Sequence, residues 1–318
     1  MVKGKTITGM LTGLLLLSAT VLPSCRREPL YEQASDIRLI LNLNLSEDDD
    51  AMWCKPKAPS LVRTIFYDRT TGERVATIFT GREGGSVVGV DAGTYTVLSF
   101  NDDCEYTRIT GEDNLNTITA YTESVSMPAG SGLLTKADEY YAIREPDHLL
   151  VGLDTALVVP LVEKQDTTIT LTSTLKTVMD SYYIRIDSLK GLQNVNSVAL
   201  YLTGHSGYNE IGKKARSTED ETLYIGTVRP DPTYTYLQGT FCTFGKIPGT
   251  GGMAYIEIVV TGAGGTVYHF EQDITEQYAD PKHVLMLCVK GEIKPQEQGG
   301  FEPEVDEWSE ETDDIDIM

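Results

Sequence analysis

Five cysteines are the residues of this chain with the widest choice of chemistry: acylation, pairing or metal ligation. Cys25 stands apart from the rest. It closes the run Leu14-Leu15-Leu16-Leu17-Ser18-Ala19-Thr20-Val21-Leu22-Pro23-Ser24, with Lys3 and Lys5 upstream. A positive start, a short apolar core and small residues ahead of a cysteine form the pattern of an export signal whose cysteine takes up lipid. The apolar residues 7–22 are too few to cross about 30 Å of hydrocarbon comfortably. Residues 1–24 therefore read as a lipoprotein signal peptide, and Cys25 as the lipidated first residue of the exported chain, with the membrane as its partner. Pro23 is atypical two places before such a cysteine. An ordinary secretory signal or a short membrane anchor is the alternative.

Cys54, Cys104, Cys242 and Cys288 remain. Two fall in each half, so Cys54–Cys104 and Cys242–Cys288 are conceivable disulfides in an oxidising compartment. Four cysteines allow three connectivities, however, and free thiols buried in a core are the plainer reading. No C-x-x-C occurs, and the linear order shows no cluster of cysteine with histidine. His148, His205, His269 and His283 are scattered. No metal site and no cofactor are expected on this spacing.

Motifs for catalysis are thin. Gly249-Thr250-Gly251-Gly252-Met253-Ala254 fits G-x-G-x-x-A, but it lies between two strand patterns with no helix behind it, and a phosphate loop needs that helix N-terminus. Gly204-His205-Ser206-Gly207-Tyr208 resembles a nucleophile elbow with its last glycine one place early. Asp48-Asp49-Asp50 and Asp102-Asp103 lack the alternating oxygen ligands of a calcium loop and read as solvated turns. No catalytic residue is assigned, and the chain is expected not to be an enzyme.

The elements that position these residues read as strands. Tyr, Thr, Val and 29 glycines favour pleated strands and tight turns, and hardly any stretch carries apolar residues at helical spacing. Residues 36–45 place Ile37, Leu39, Leu41, Leu43 and Leu45 at period two, the mark of a strand with one buried face. Further strands are predicted at 61–67, 74–79, 94–100, 117–122, 149–151 and 156–161. Beyond a joint near 163–166 they resume at 167–172, 182–186, 197–202, 222–228, 240–244, 255–261, 267–271 and 285–289. Residues 124–146 read as a loop or short helix, and 274–278 as one helical turn.

Removing the first 24 of 318 residues leaves 294, which suits two domains. The expected order is a linker at 25–35, an N-terminal β-sandwich at 36–163, a C-terminal one at 164–294 and an acidic tail at 295–318. A formal charge of −21 excludes a nucleic-acid partner, because such a surface releases no counterions from a phosphate backbone. The tail carries nine acidic residues and no basic one between 301 and 318, yet Val305, Trp308, Ile315 and Ile317 are apolar, which a purely solvating tail does not need.

Several stretches carry a resemblance. They are Ala92-Gly93-Thr94-Tyr95-Thr96-Val97-Leu98 with Asn101-Asp102-Asp103-Cys104-Glu105-Tyr106, then Pro146-Asp147-His148-Leu149-Leu150-Val151-Gly152, then Gly239-Thr240-Phe241-Cys242-Thr243-Phe244-Gly245, residues 269–277 and residues 305–317. Together they resemble the fimbrillin-like lipoproteins of the Bacteroidales, in particular an uncharacterised family related to fimbrial anchor and accessory subunits. That resemblance implies two tandem transthyretin-like, Greek-key sandwiches on a lipid anchor, placed on the outer membrane and facing the cell surface, with the periplasmic face as the other option. It also implies non-catalytic work by strand complementation and adhesion, with other fimbrillin-like subunits, and a host or glycan ligand, as partners. Trp308, Ile315 and Ile317 would then belong to a donor or capping strand. The alternative is a surface or periplasmic glycan-binding lipoprotein, with Trp53, Tyr140 and Tyr141 as stacking platforms.

Overall fold

The computed structural model describes residues 38–45, 53–82, 84–87, 90–126, 141–160, 168–249 and 253–295. Cys25, Asp48 to Asp50, Tyr140, the joint at 163–166 and the segment bearing Trp308, Ile315 and Ile317 lie outside the described residues. The described chain is all-β, with one short helix.

Four sheets carry the fold. The largest has seven strands in the order β3 (Arg74–Thr80), β2 (Val62–Asp68), β5 (Gly93–Asn101), β10 (Leu150–Val159), β11 (Thr168–Thr177), β1 (Arg38–Leu45) and β4 (Gly85–Val87). A four-stranded sheet runs β17 (Arg229–Pro230), β18 (Leu237–Thr243), β12 (Asp180–Lys190), β21 (Val284–Glu292). Six strands follow the order β20 (Val267–Asp273), β19 (Tyr255–Gly262), β13 (Val195–Ser206), β16 (Asp220–Ile225), β9 (Tyr141–Arg144), β8 (Ser124–Ser126). The last sheet is β15 (Ala215–Arg216), β14 (Asn209–Glu210), β7 (Thr119–Thr122), β6 (Thr107–Thr110). The helix α1 spans Thr275–Ala279.

Alternation within strands explains how the sheets bury. On β2, Ile65 and Tyr67 enter the largest apolar cluster, while Phe66, between them, enters a second cluster with Tyr95, Val97, Leu157 and Leu171. Leu98 and Phe100 of β5 repeat that division, so the seven-stranded sheet is covered on both faces. The same large cluster takes Ile184 and Ile186 of β12, Phe241 of β18, Leu285 and Leu287 of β21, and Leu200, Ile256 and Ile258 of the six-stranded sheet, which is the packing of a β-sandwich. Each such side chain, fully buried, stabilises by roughly 1.5–3 kcal/mol against exposure.

Several elements depart from the sequence expectation. Residues 124–126 and 141–144, expected in a loop or short helix, are strands: β9 runs parallel to β16 through Leu223↔Ile143 and antiparallel to β8. Each is too short for its period to show above the surrounding polar residues. β11, read as the opening of the second half, is hydrogen-bonded to β1 and β10 of the first. The helical turn at 274–278 is found one residue later, and the predicted strands at 149–151 and 156–161 are one strand, β10, bulged between Asp154 and Leu157.

Candidate functional site

Two parallel strand pairs stand out in sheets that are otherwise mostly antiparallel. β1 lies parallel to β11 along its whole length, from Arg38↔Thr168 to Leu45↔Leu175. On its other side β4 covers it only at Leu39↔Val87, Ile40↔Ser86 and Leu41↔Gly85. Among the described residues, Asn42 to Leu45 thus have a strand neighbour on one side. Their outer backbone groups are a template for a further strand. Leu43 packs inward between two apolar clusters, and Asn42 and Asn44 are exposed.

β21 is the counterpart at the other end. It pairs in parallel with β12 and forms the sheet edge. That edge is blocked: the Gln277 side chain of α1 donates from Nε2 to the Met286 carbonyl at 3.1 Å and accepts the Met286 N–H on Oε1 at 2.7 Å, standing in for a strand. Beyond it, Ile293 donates its N–H to the Lys190 carbonyl at 2.9 Å and accepts from Asn194 Nδ2 at 3.0 Å. Gly191 sits at φ 75°, and a Cβ there would lie 2.1 Å from the Ile293 oxygen, so only glycine permits this closure.

The fold also builds a cluster that the linear order conceals. Cys54 Sγ, His148 Nε2 and Cys242 Sγ all lie within 4.8 Å of one another, with Cys242 Sγ 3.6 Å from His148 Nε2. Cys54 is placed by the docking of its neighbour: Trp53 packs against Tyr183 with tilted rings 5.1 Å apart, gives its indole N–H to the Lys282 carbonyl, and with Cys54 donates backbone N–H groups to Ser181 Oγ. Residues 145–149 are held from several sides. Asp147 Oδ2 accepts the Tyr106 and Thr107 N–H groups, Glu145 Oε1 accepts the Cys242 N–H at 3.1 Å, and Asn101 Nδ2 donates to the His148 carbonyl at 3.1 Å while its Oδ1 accepts the Leu150 N–H. The hydrogen bond from the Cys242 thiol, with help from His148, holds the Cys54 thiol well below its ordinary range, and Cys242 moves up for the same reason and through burial. Burial pushes the Glu145 carboxyl up to about 8.

The four described cysteines are free thiols. The fold brings Cys54 to Cys242. Cys104 donates to the His148 carbonyl at 3.6 Å and is pushed up to about 12 by burial and by Asp147 and Asp103, while Cys288 is exposed beside Ser188. His205 and Ser206 do not form a proton-transfer pair. Ser206 donates to the Ser217 carbonyl, and His205, fully buried with neither ring nitrogen hydrogen-bonded, is lowered to about 4 by desolvation. His269 Nδ1 lies 2.8 Å from the buried Glu257 carboxylate, and His283 stacks on Tyr182 at 4.5 Å. Asp102 pairs with Arg63, and Asp103 accepts both donors of Ser60, so these carboxylates are taken up by the chain's own donors. Of the glycine run at 249–254, residues 250–252 lie outside the described residues, and Ala254 immediately precedes β19. Trp53 and Tyr141 are exposed at 45% and 58%, on separate elements.

The fold class is an all-β sandwich whose two end strands differ in how their edges are covered. The chain belongs to the family described as domain of unknown function DUF5119, which matches residues 25–226. It is 27% identical over 222 residues, 70% of this chain, to a Bacteroides ovatus protein provisionally named fimbrium anchoring subunit Fim4B, of which the match spans 61%. Its fold is similar to that of a Bacteroides ovatus crystal structure provisionally described as an adhesin, at 22% identity and a TM-score of 0.59, covering 82% of this chain and 94% of that one. Similarity to the fimbrial anchor protein Mfa2 of Porphyromonas gingivalis is weaker, with a TM-score of 0.49, 13% identity and coverage of 79% and 88%. Among the described residues no helix is long and apolar enough to cross a membrane.

Proposed function

We propose that this chain is a non-catalytic envelope lipoprotein, the anchor or an accessory subunit of a fimbria-like assembly, held to the outer membrane through lipid on Cys25 and working at the cell surface. The likeness over 222 residues to a relative named as an anchoring subunit carries this reading. The export pattern at residues 1–25 and the short path from Cys25 to β1 support it. In this account the chain forms two transthyretin-like sandwiches, expected at 36–163 and 164–294, with β11 joining the sheet of the first, and adhesion and assembly proceed by strand complementation. The half-covered edge of β1 is where a further strand adds, with backbone hydrogen bonds giving affinity and alternate side chains giving register. The donor is the segment of another fimbrillin-like subunit, or the chain's own residues 308–318, in which Trp308, Ile315 and Ile317 supply the apolar side chains.

Surface proteolysis of intact cells, followed by mass spectrometry of what stays on the membrane, tests the placement. The expected outcome is loss of both sandwiches and retention of an acylated peptide beginning at Cys25. Protection of the whole chain until the outer membrane is broken would overturn the surface reading in favour of a periplasmic one.

A further inference from the structure

We propose that Cys54, His148 and Cys242 bind one zinc ion, which fastens the segment preceding β2 to β18 and to the 145–149 loop. Three ligand atoms from chain positions far apart in sequence converge within 4.8 Å. The 3.6 Å between Cys242 Sγ and His148 Nε2 is about the edge that two ligands of a tetrahedral ion make, given Zn–S near 2.3 Å and Zn–N near 2.0–2.1 Å. Two thiolates and an imidazole are a donor set that selects zinc over magnesium or calcium. A doubly charged cation also neutralises the sulfur of Cys242, which burial would otherwise make costly to ionise.

The surroundings are built for it. On either side of the histidine, Asp147 accepts the Thr107 N–H on Oδ2 and Leu150 donates its N–H to Asn101 Oδ1. Trp53 and Ser181 hold Cys54 in place from another direction. A disulfide between Cys54 and Cys242 would use only the two sulfurs and leave the Nε2 of His148 aimed at an atom with little to offer it. Three protein ligands leave the fourth tetrahedral position to water. The site is independent of the fimbrial reading, since it rests on the side chains alone.

The test uses the full mature chain, reduced and freed of metal, titrated with zinc against a chromophoric chelator and, separately, with cobalt. The expected result is one equivalent of zinc per chain, a thiolate-to-cobalt charge-transfer band with the visible bands of a tetrahedral site, and a higher unfolding midpoint when loaded. Cys54→Ser and His148→Gln are expected to weaken binding at least about tenfold. Cys104→Ser and Cys288→Ser are expected to leave it unchanged. His148→Gln alters a partly exposed side chain and keeps both thiols, so it carries the test if Cys54→Ser fails to fold. Less than a stoichiometric amount of zinc on the folded wild-type chain overturns the proposal. So does recovery of metal-free protein from cells with Cys54 and Cys242 joined as a disulfide.

Discussion

β1 and β21 solve the same geometric problem in opposite ways. Each is a strand parallel to its inner neighbour, reached from one end of the described chain. β21 is closed: its buried Leu285, Leu287 and Val289 lie in the main core, Gln277 blocks its outer edge at Met286, and Ile293 is pinned through Gly191 and Asn194. β1 places Leu43, half-buried, between two smaller clusters, and among the described residues three residues of β4 cover its outer side. An uncovered edge is a liability that folded chains usually block. Among the described residues, the edge of β21 is met by the chain's own side chains, while β1 from Asn42 to Leu45 has a strand neighbour on one side.

The largest effect expected is on the sealed side. Leu287→Ala removes a side chain that is 2% exposed and should cost about 2–5 kcal/mol in urea unfolding. A cost under about 1 kcal/mol would mean that β21 is not held by the core.

Acid should loosen the six-stranded sheet. His205 of β13 is neutral and buried, with its pKa lowered from 6.5 to about 4, and it lies near Asp220, whose carboxyl is raised by burial. A depressed histidine makes protonation favour the unfolded chain. Its stabilising contribution is therefore complete above pH 6.5 and falls away as pH drops from 6.5 towards 4, by no more than about 3 kcal/mol. The difference in stability between wild type and His205→Gln, followed by urea unfolding across that window, should change with this sign.

Gln277→Ala opens the edge of β21 and should cost about 1 kcal/mol. The Met286 amide should then exchange hydrogen faster, and the chain should self-associate more readily. If exchange at Met286 is unchanged, the side chain is not what seals the edge. Leu43→Ala on β1 is expected to cost about 1 kcal/mol, less than Leu287→Ala, because its site is only half-buried. An equal cost would erase the distinction between the two ends.

Much of this was legible in the sequence, for particular reasons. The period-two leucines of 36–45 mark β1, and the alternation around 285–289 marks β21, whose Leu285, Leu287 and Val289 are buried while Met286 and Cys288 are exposed. β2 and β5 lose that alternation, being buried on both faces, and were found instead from their β-branched and aromatic content. β9 is four residues long and pairs with a strand some eighty residues away, so no local pattern marks it. The cluster of Cys54, His148 and Cys242 was hidden for the same cause: its ligands come from separate elements, and spacing rules see only ligands on one hairpin or helix. The Gly204-His205-Ser206-Gly207 run reads as a loop without a catalytic pair, whereas His205 and Ser206 are the buried end of β13. Gln277 carried no signal, because its role depends on where a five-residue helix sets its side chain against β21.

The central claim is that β1, and not β21, accepts a further strand. A photo-crosslinking amino acid placed at Asn44 and, in a second strain, at Met286, both exposed, tests it in intact cells. The account predicts adducts from Asn44 with an extended segment of another envelope subunit or of the chain's own residues 308–318, and none of that kind from Met286. Strand adducts at Met286 with none at Asn44 would contradict it.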